Sequence, residues 1–179
     1  KLRATVPDPV TGKFTLAYLP ENTHYTVVVA GQNLTTAAIT HVPVSLAMGV
    51  TTLNTAQTPI VPSASAMASV VGVVSFSSAL LTDARVSASQ TLSTGQSLQV
   101  ASMGVNSETA EYTLALPLAA AIKATYVAGQ PLVFTTDSMV VGRYSVTGTA
   151  TGYTTQTTTP VLDLGVAGST TVKDLVLVP

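Results

Sequence analysis

The sequence predicts an all-β protein built from two tandem β-sandwich domains, and three observations carry that prediction. Short runs of alternating or β-branched residues recur along the chain, Gly, Pro and Asn punctuate them at close intervals, and one ordered set of motifs occurs twice. A length of 179 residues suits two small domains.

In chain order, the expected strands are Leu2–Val6, Lys13–Tyr18, Tyr25–Ala30, Ala37–Val44, Val50–Gln57, Val70–Phe76, Arg85–Gln90, Ser97–Ser102, Tyr112–Leu116, Leu132–Thr135, Gly142–Ala150, Thr154–Leu162 and Thr170–Val178. Within Tyr25–Ala30 and Tyr144–Thr149 alternate side chains face opposite ways, so one set can point into a core. The inward set is expected to include Phe14, Leu16, Tyr25, Val27, Tyr112, Leu114, Tyr144 and Val146. Only Leu118–Ala124, Ala-rich and following Pro117, reads as a helical turn, and a loop fits it equally well.

The repeat fixes the expected domains. Phe14-Thr-Leu-Ala-Tyr-Leu-Pro20 is echoed by Tyr112-Thr-Leu-Ala-Leu-Pro117, and Tyr25-Thr-Val by Tyr144-Ser-Val. Gly49 and Gly168 then lie equally far beyond their tyrosines, and both copies close on a Val-Pro pair, at Pro62 and Pro179. The expected division is a domain over 1–62, a linker over 63–69 and a second domain over 70–179 with an insertion near 119–141. Small residues from Ser63 to Ser69 suggest the linker. Because the insertion carries Lys123, Tyr126, Phe134 and Asp137, it is expected to pack partly on its own domain.

Composition narrows the function classes. Hydrophobic residues make up 46% of the chain, and charged residues only 8% against roughly 25% in ordinary soluble domains. That is enough apolar surface for a core, and disorder is not expected. Seven basic and eight acidic residues are scattered singly, giving a net charge of −1. That leaves no basic face for nucleic acid and no polybasic patch for a membrane surface. The apolar runs Val70–Val74 and Leu114–Ile122 are too short or interrupted to span a bilayer as helices, so no transmembrane segment is expected. Without cysteine there is no thiolate zinc site or iron–sulfur cluster, and no disulfide. Thr, Ser, Val and Ala replacing charge point to a secreted or cell-surface location, and an exported chain starting at Lys1 reads as a processed form or fragment.

The motifs Gly12-x-Phe14-x-Leu16, Leu19-Pro20 and Tyr25-x-Val27 resemble the core of carboxypeptidase regulatory-like domains and their Cna-B and transthyretin-like relatives. Gly142-x-Tyr144-x-Val146 followed by Ala150-x-Gly152-Tyr153 is similar to the second half of the same pattern. Asn22-Thr23 departs from the family's Pro-Gly, Asn33-Leu34 from its Gly-Tyr, and Ala110 from the Gly before the aromatic. These departures touch turns that need φ > 0, which Asn takes readily and Ala does not. The resemblance implies prealbumin/Ig-like sandwiches that act as non-catalytic stalks, spacers or ligand-binding accessories. It also implies two strands before the Gly-x-Phe motif. The second copy supplies them at Val71–Val74 and Asp83–Val86, whereas only Lys1–Val6 precedes Pro7 in the first. The first domain is therefore expected to lack its opening strands.

No residue pattern assembles a site. His24 and His41, with Glu21 or Asp8, lack any metal-binding spacing and read as single residues beside strands. Asp137-Ser138 has no nucleophile elbow, and the second copy has no His to serve as base. Asp8 and the group Asn106, Glu108 and Glu111 read as turn formers rather than calcium ligands or a glycosidase pair. Cna-B relatives can join Lys to Asn or Asp, but Lys1, Lys13, Lys123 and Lys173 match no such position. Thr154–Thr159 reads as an edge strand before it reads as a glycosylation tract, and Asn33-Leu-Thr35 is a lone sequon. Catalytic, cofactor and metal residues are thus expected to be none.

The expectation is a non-catalytic structural or interaction module of an exported bacterial surface protein, in a fibre or stalk joined by strand addition. Its partners would be copies of itself or another surface component, with no nucleic acid. A carbohydrate- or small-ligand-binding accessory module is the alternative. It would need exposed aromatics, and Trp is absent.

Overall fold

The computed structural model describes residues 3–45, 49, 51, 53, 60, 62–138, 141–159 and 161–179. Every regular element among them is a strand. In order these are β1 (Asn22–Val29), β2 (Ala37–Val44), β3 (Met67–Phe76), β4 (Ala79–Leu80), β5 (Arg85–Thr91), β6 (Ser97–Gly104) and β7 (Glu111–Pro117). They continue as β8 (Ile122–Thr125), β9 (Thr135–Thr136), β10 (Arg143–Thr149), β11 (Gln156–Thr157), β12 (Leu162–Asp163), β13 (Thr170–Val172) and β14 (Leu175–Val176). Among the described residues no helix is long and apolar enough to cross a membrane.

Residues 67–179 contribute the two facing sheets of a β-sandwich. One runs β11-β10-β5-β6, with β12 also on β10; the other centres on β3, which takes β7 and β4 antiparallel and β13 and β14 parallel. Strand alternation supplies the core: Ala68, Val70 and Val74 of β3, Val86 and Ala88 of β5, Tyr112, Leu114 and Leu116 of β7, and Tyr144 and Val146 of β10 form one buried cluster. Gly72 lets the C-terminal segment approach closely, since a Cβ there would sit 2.1 Å from the Lys173 carbonyl oxygen. The Tyr112 hydroxyl donates to that same oxygen at 2.5 Å. Burial, and secondly the Asp174 carboxylate, push the Tyr112 phenol up to about 12.

The first part of the chain contributes a different sheet, ordered β1-β2-β8-β9. β1 and β2 pair antiparallel, and β8 adds to β2 in parallel, Ala37 to Ile122 through Thr40 to Thr125. On one face Val27, Ile39 and Val42 pack with Phe14, Leu16, Tyr25, Tyr126, Leu132 and Phe134. On the other, Ala38 and Val28 meet Leu92, Leu98, Val100 and Ala121. The insertion near 119–141 therefore packs on both parts of the chain, and its β8 extends the first part's sheet.

Several local expectations are corrected. Arg3–Val6 and Lys13–Tyr18 form no strand; strands exist by pairing, and no described strand pairs with these segments. Leu118–Ala124 is no helical turn: β8 begins at Ile122, where the free edge of β2 outweighs the helical preference of alanine. Thr154–Leu162 is interrupted rather than continuous, giving only β11 and β12 on β10, with Thr158 buried between them. There the Thr158 N–H donates to the Val146 carbonyl and its hydroxyl accepts from the Val146 N–H. Leu132–Thr135 is strand only at Thr135, where the two-residue β9 begins, and Val50–Gln57 lies largely outside the described residues. β3 begins at Met67, inside the expected linker, and Ala64 bridges to Leu34. All eight residues expected to face inward are buried or half-buried.

Candidate functional site

Two pairs of local structures are built alike where the sequence motifs match. Asp8 and Asn106 each open a turn. Asp8 Oδ1 accepts from the Val10 and Thr11 N–H groups at 3.0 and 2.6 Å. Asn106 Oδ1 does the same for Glu108 and Thr109 at 2.8 and 3.0 Å. Both turns then close through backbone bonds from residue five to residue one and from residue one to residue six. The fifth residue has φ of 67° at Gly12 and 54° at Ala110. Ala110 thus takes the left-handed conformation that Gly holds in the other turn, while fully buried. The Thr11 and Val10 donors, Thr11 first, hold the Asp8 carboxyl below its usual range. The second likeness is the tyrosine: Tyr25 donates to the Pro20 carbonyl at 2.5 Å, and Tyr144 donates to that of Pro117.

His24 and His41 do not stand singly, which corrects the expectation. Their rings meet edge to face, with centroids 5.4 Å apart and an interplanar angle of 64°. Two β-bulges bring this about. The β1–β2 register shifts between Asn22 and Tyr25, and shifts back between Tyr25 and Val27. Pairing of Asn22 with Val44, Tyr25 with Val42 and Val27 with Ile39 leaves Thr23-His24 opposite Pro43 and Thr40-His41 opposite Thr26. Each histidine belongs to the extra-residue side of one bulge, the kind of irregularity that re-aims side chains. Pro43, which has no N–H to give, sits where the ladder is already broken. His41 has φ of 61°, both rings are exposed, and His41 Nδ1 lies 3.2 Å from Thr40 Oγ1. No group of three His, Cys, Asp or Glu residues is found among the described residues. Neither Glu21 nor Asp8 joins the pair in a metal-binding group.

A second constellation joins Lys123, Asp137 and Ser93. Lys123 Nζ lies 2.6 Å from Asp137 Oδ2, with the carboxylate fully buried. The Ser93 N–H and hydroxyl each donate to Asp137 at 2.8 Å, and Lys123 also donates to Ser93 Oγ at 3.0 Å. The arrangement ties the β5–β6 turn to the insertion. As a buried charge held by an ammonium and two donors, Asp137 is a structural anchor. The neighbouring Ser138 is exposed.

Other candidates stay apart. Glu108 is exposed in its turn, and Glu111 accepts from Thr109. Lys13 is exposed, Lys173 lies at the β13–β14 junction, and Lys1 falls outside the described residues. Asn33 is exposed with φ of 59°, but Thr35 of its sequon is buried and donates its N–H to Ser63. Two open clefts lie against β6, of about 450 and 380 Å³, and neither lining includes an aromatic ring.

Compared with known proteins, the chain matches no family model and has no significant counterpart among curated sequences or solved structures.

Proposed function

We propose that the protein is a non-catalytic structural module of an exported bacterial surface assembly, joined to its neighbours by β-strand addition. One observation carries this reading. In the sandwich, β10 is paired on both edges, by β5 on one side and by β11 and β12 on the other. Among the described residues β1, whose Tyr25 corresponds to Tyr144 of β10, pairs with β2 alone. Its other edge, over Thr26–Val29, corresponds to the stretch Ser145–Gly148 where β10 takes β5. Likewise β6 and β7 pair with β5 and β3, whereas the matching segments around 3–7 and 13–20 have no strand partner among the described residues.

An edge with unpaired N–H and C=O groups is a template for another strand. Backbone hydrogen bonds then supply affinity, and alternate side chains fill the pockets beside it. The exposed Val6, Val10 and Tyr18 on the neighbouring segments would gain cover from the same event. Head-to-tail addition is a heterologous contact and generates an open fibre or stalk rather than a closed dimer. Low charge and abundant Thr and Val leave few residues to oppose such pairing. The likeness of the motifs to carboxypeptidase regulatory-like and Cna-B domains fits a surface stalk.

Hydrogen exchange measured alongside light scattering tests the reading. The amides of Thr26–Val29 should gain protection as rising protein concentration produces elongated assemblies visible by electron microscopy. A chain that stays monomeric at millimolar concentration, with unchanged exchange along β1, would refute it.

A further inference from the structure

We infer that His24 and His41 form a two-histidine binding site for a late first-row divalent cation such as Zn²⁺ or Ni²⁺. Both rings are exposed and already in contact. Their separation suits chelation. With a metal–nitrogen bond of about 2.0–2.1 Å and the ring centre about 1.2 Å behind the nitrogen, each centre lies about 3.2 Å from the metal. A tetrahedral angle then puts the two centres about 5.2 Å apart, against the observed 5.4 Å. The rings now meet edge to face at 64°, so aiming one nitrogen of each at a common point takes a rotation of these exposed side chains.

The backbone is arranged around this contact. Opposed bulges place the two histidines diagonally across the β1–β2 ribbon, one on either side of the Tyr25–Val42 pair, and His41 is held at φ 61°. A left-handed conformation at a residue other than Gly is costly, and such outliers gather where geometry serves a site. Thr40 Oγ1 lies 3.2 Å from His41 Nδ1, and in the tautomer that donates from Nδ1 to this hydroxyl the lone pair of Nε2 is left for a metal. Fixing a ligand imidazole through its second nitrogen is how metal sites orient their histidines. No carboxylate or thiolate joins the pair in a metal-binding group among the described residues, so water completes the shell. Neutral imidazoles with open positions select zinc, nickel or copper over magnesium or calcium.

Titration calorimetry of the untagged chain with NiCl2 and with ZnCl2 tests this. The expected result is saturable binding of one ion per chain. His24→Ala and His41→Asn should each weaken it at least about tenfold, and the double variant should show no saturable binding. Asn is chosen at position 41 because it tolerates φ > 0, so the bulge survives while the imidazole goes. Circular dichroism should report an unchanged fold in both variants. If the wild-type chain binds neither ion at millimolar concentration, or folded variants bind as tightly as wild type, the site does not exist.

Discussion

The buried hydroxyl of Tyr144 donates to the carbonyl oxygen of Pro117, locking the start of β10 to the end of β7 across the sandwich. The ring is fully buried, and burial holds its phenol well above the usual range, offset in small part by the nearby Gln90 amide. Tyr25 makes the corresponding bond to Pro20, but from a half-buried position where water can replace it. Tyr144→Phe should therefore cost about 1–3 kcal/mol, because the Pro117 carbonyl is left without its donor in a dry site. Tyr25→Phe should cost less. Urea unfolding of the two variants, compared at equal slope, reads the difference.

The matched turns give a reciprocal pair of substitutions. Gly12 has φ 67°, and a Cβ added there would meet nothing within 4 Å, so Gly12→Ala meets backbone strain alone. About 1 kcal/mol is expected, the left-handed penalty of an L-residue. Ala110 already bears that penalty at φ 54°. Ala110→Gly relieves that strain but removes a fully buried methyl and adds the entropy that glycine loses on folding, so it should change stability by less than about 1 kcal/mol. A lowered thermal midpoint for Gly12→Ala is the expected outcome, and a stabilising Gly12→Ala would contradict it.

Legibility in the sequence followed whether a segment carries its own pairing partners. β3, β5, β7 and β10 alternate apolar and polar residues and find each other within 67–179, so period-two reading located them. Lys13–Tyr18 alternates just as well yet is not a strand, because pairing is non-local and its counterpart is absent from the described residues. β8 was hidden for the converse reason: Ile-Lys-Ala-Thr has weak strand character and is held by β2, some 80 residues away in sequence. The histidine pair was invisible because bulges cannot be read from spacing. The Lys123–Asp137 contact left one usable signal, two opposite charges in an apolar insertion of a chain with so few.

Alkaline pH should unfold the protein through its buried phenols. Tyr112 has a folded value of about 12 against an ordinary value of 10, and Tyr144 is shifted in the same direction. The folded state thus favours the neutral phenol, and the unfolded chain releases its protons first. The resulting stability is fully present below pH 10 and is lost as pH rises through about 12. Phenolate absorbance of the folded protein should remain incomplete above pH 10 and finish together with the loss of the near-ultraviolet dichroism. Complete ionisation of all six tyrosines while the fold persists would contradict this.

The Asp137 carboxylate is fully buried while its cation is not. Lys123 remains 30% exposed and can return to water at little cost. The carboxylate cannot, so Lys123→Met leaves a buried charge with the two Ser93 donors but without its ammonium. Breaking a buried pair from one side costs about 3–5 kcal/mol, and the retained Ser93 bonds place the expected loss toward the lower end. Replacing both residues, as Lys123→Met with Asp137→Leu, removes the charge along with its partner and should recover much of the loss. Since the pair ties the β5–β6 turn to the insertion that carries β8, the single variant should also loosen β8 from β2. Hydrogen exchange at Ile122–Thr125 should accelerate in Lys123→Met while β3 and β7 remain protected. Uniform acceleration across all strands would show instead that the pair stabilises the whole fold rather than this junction.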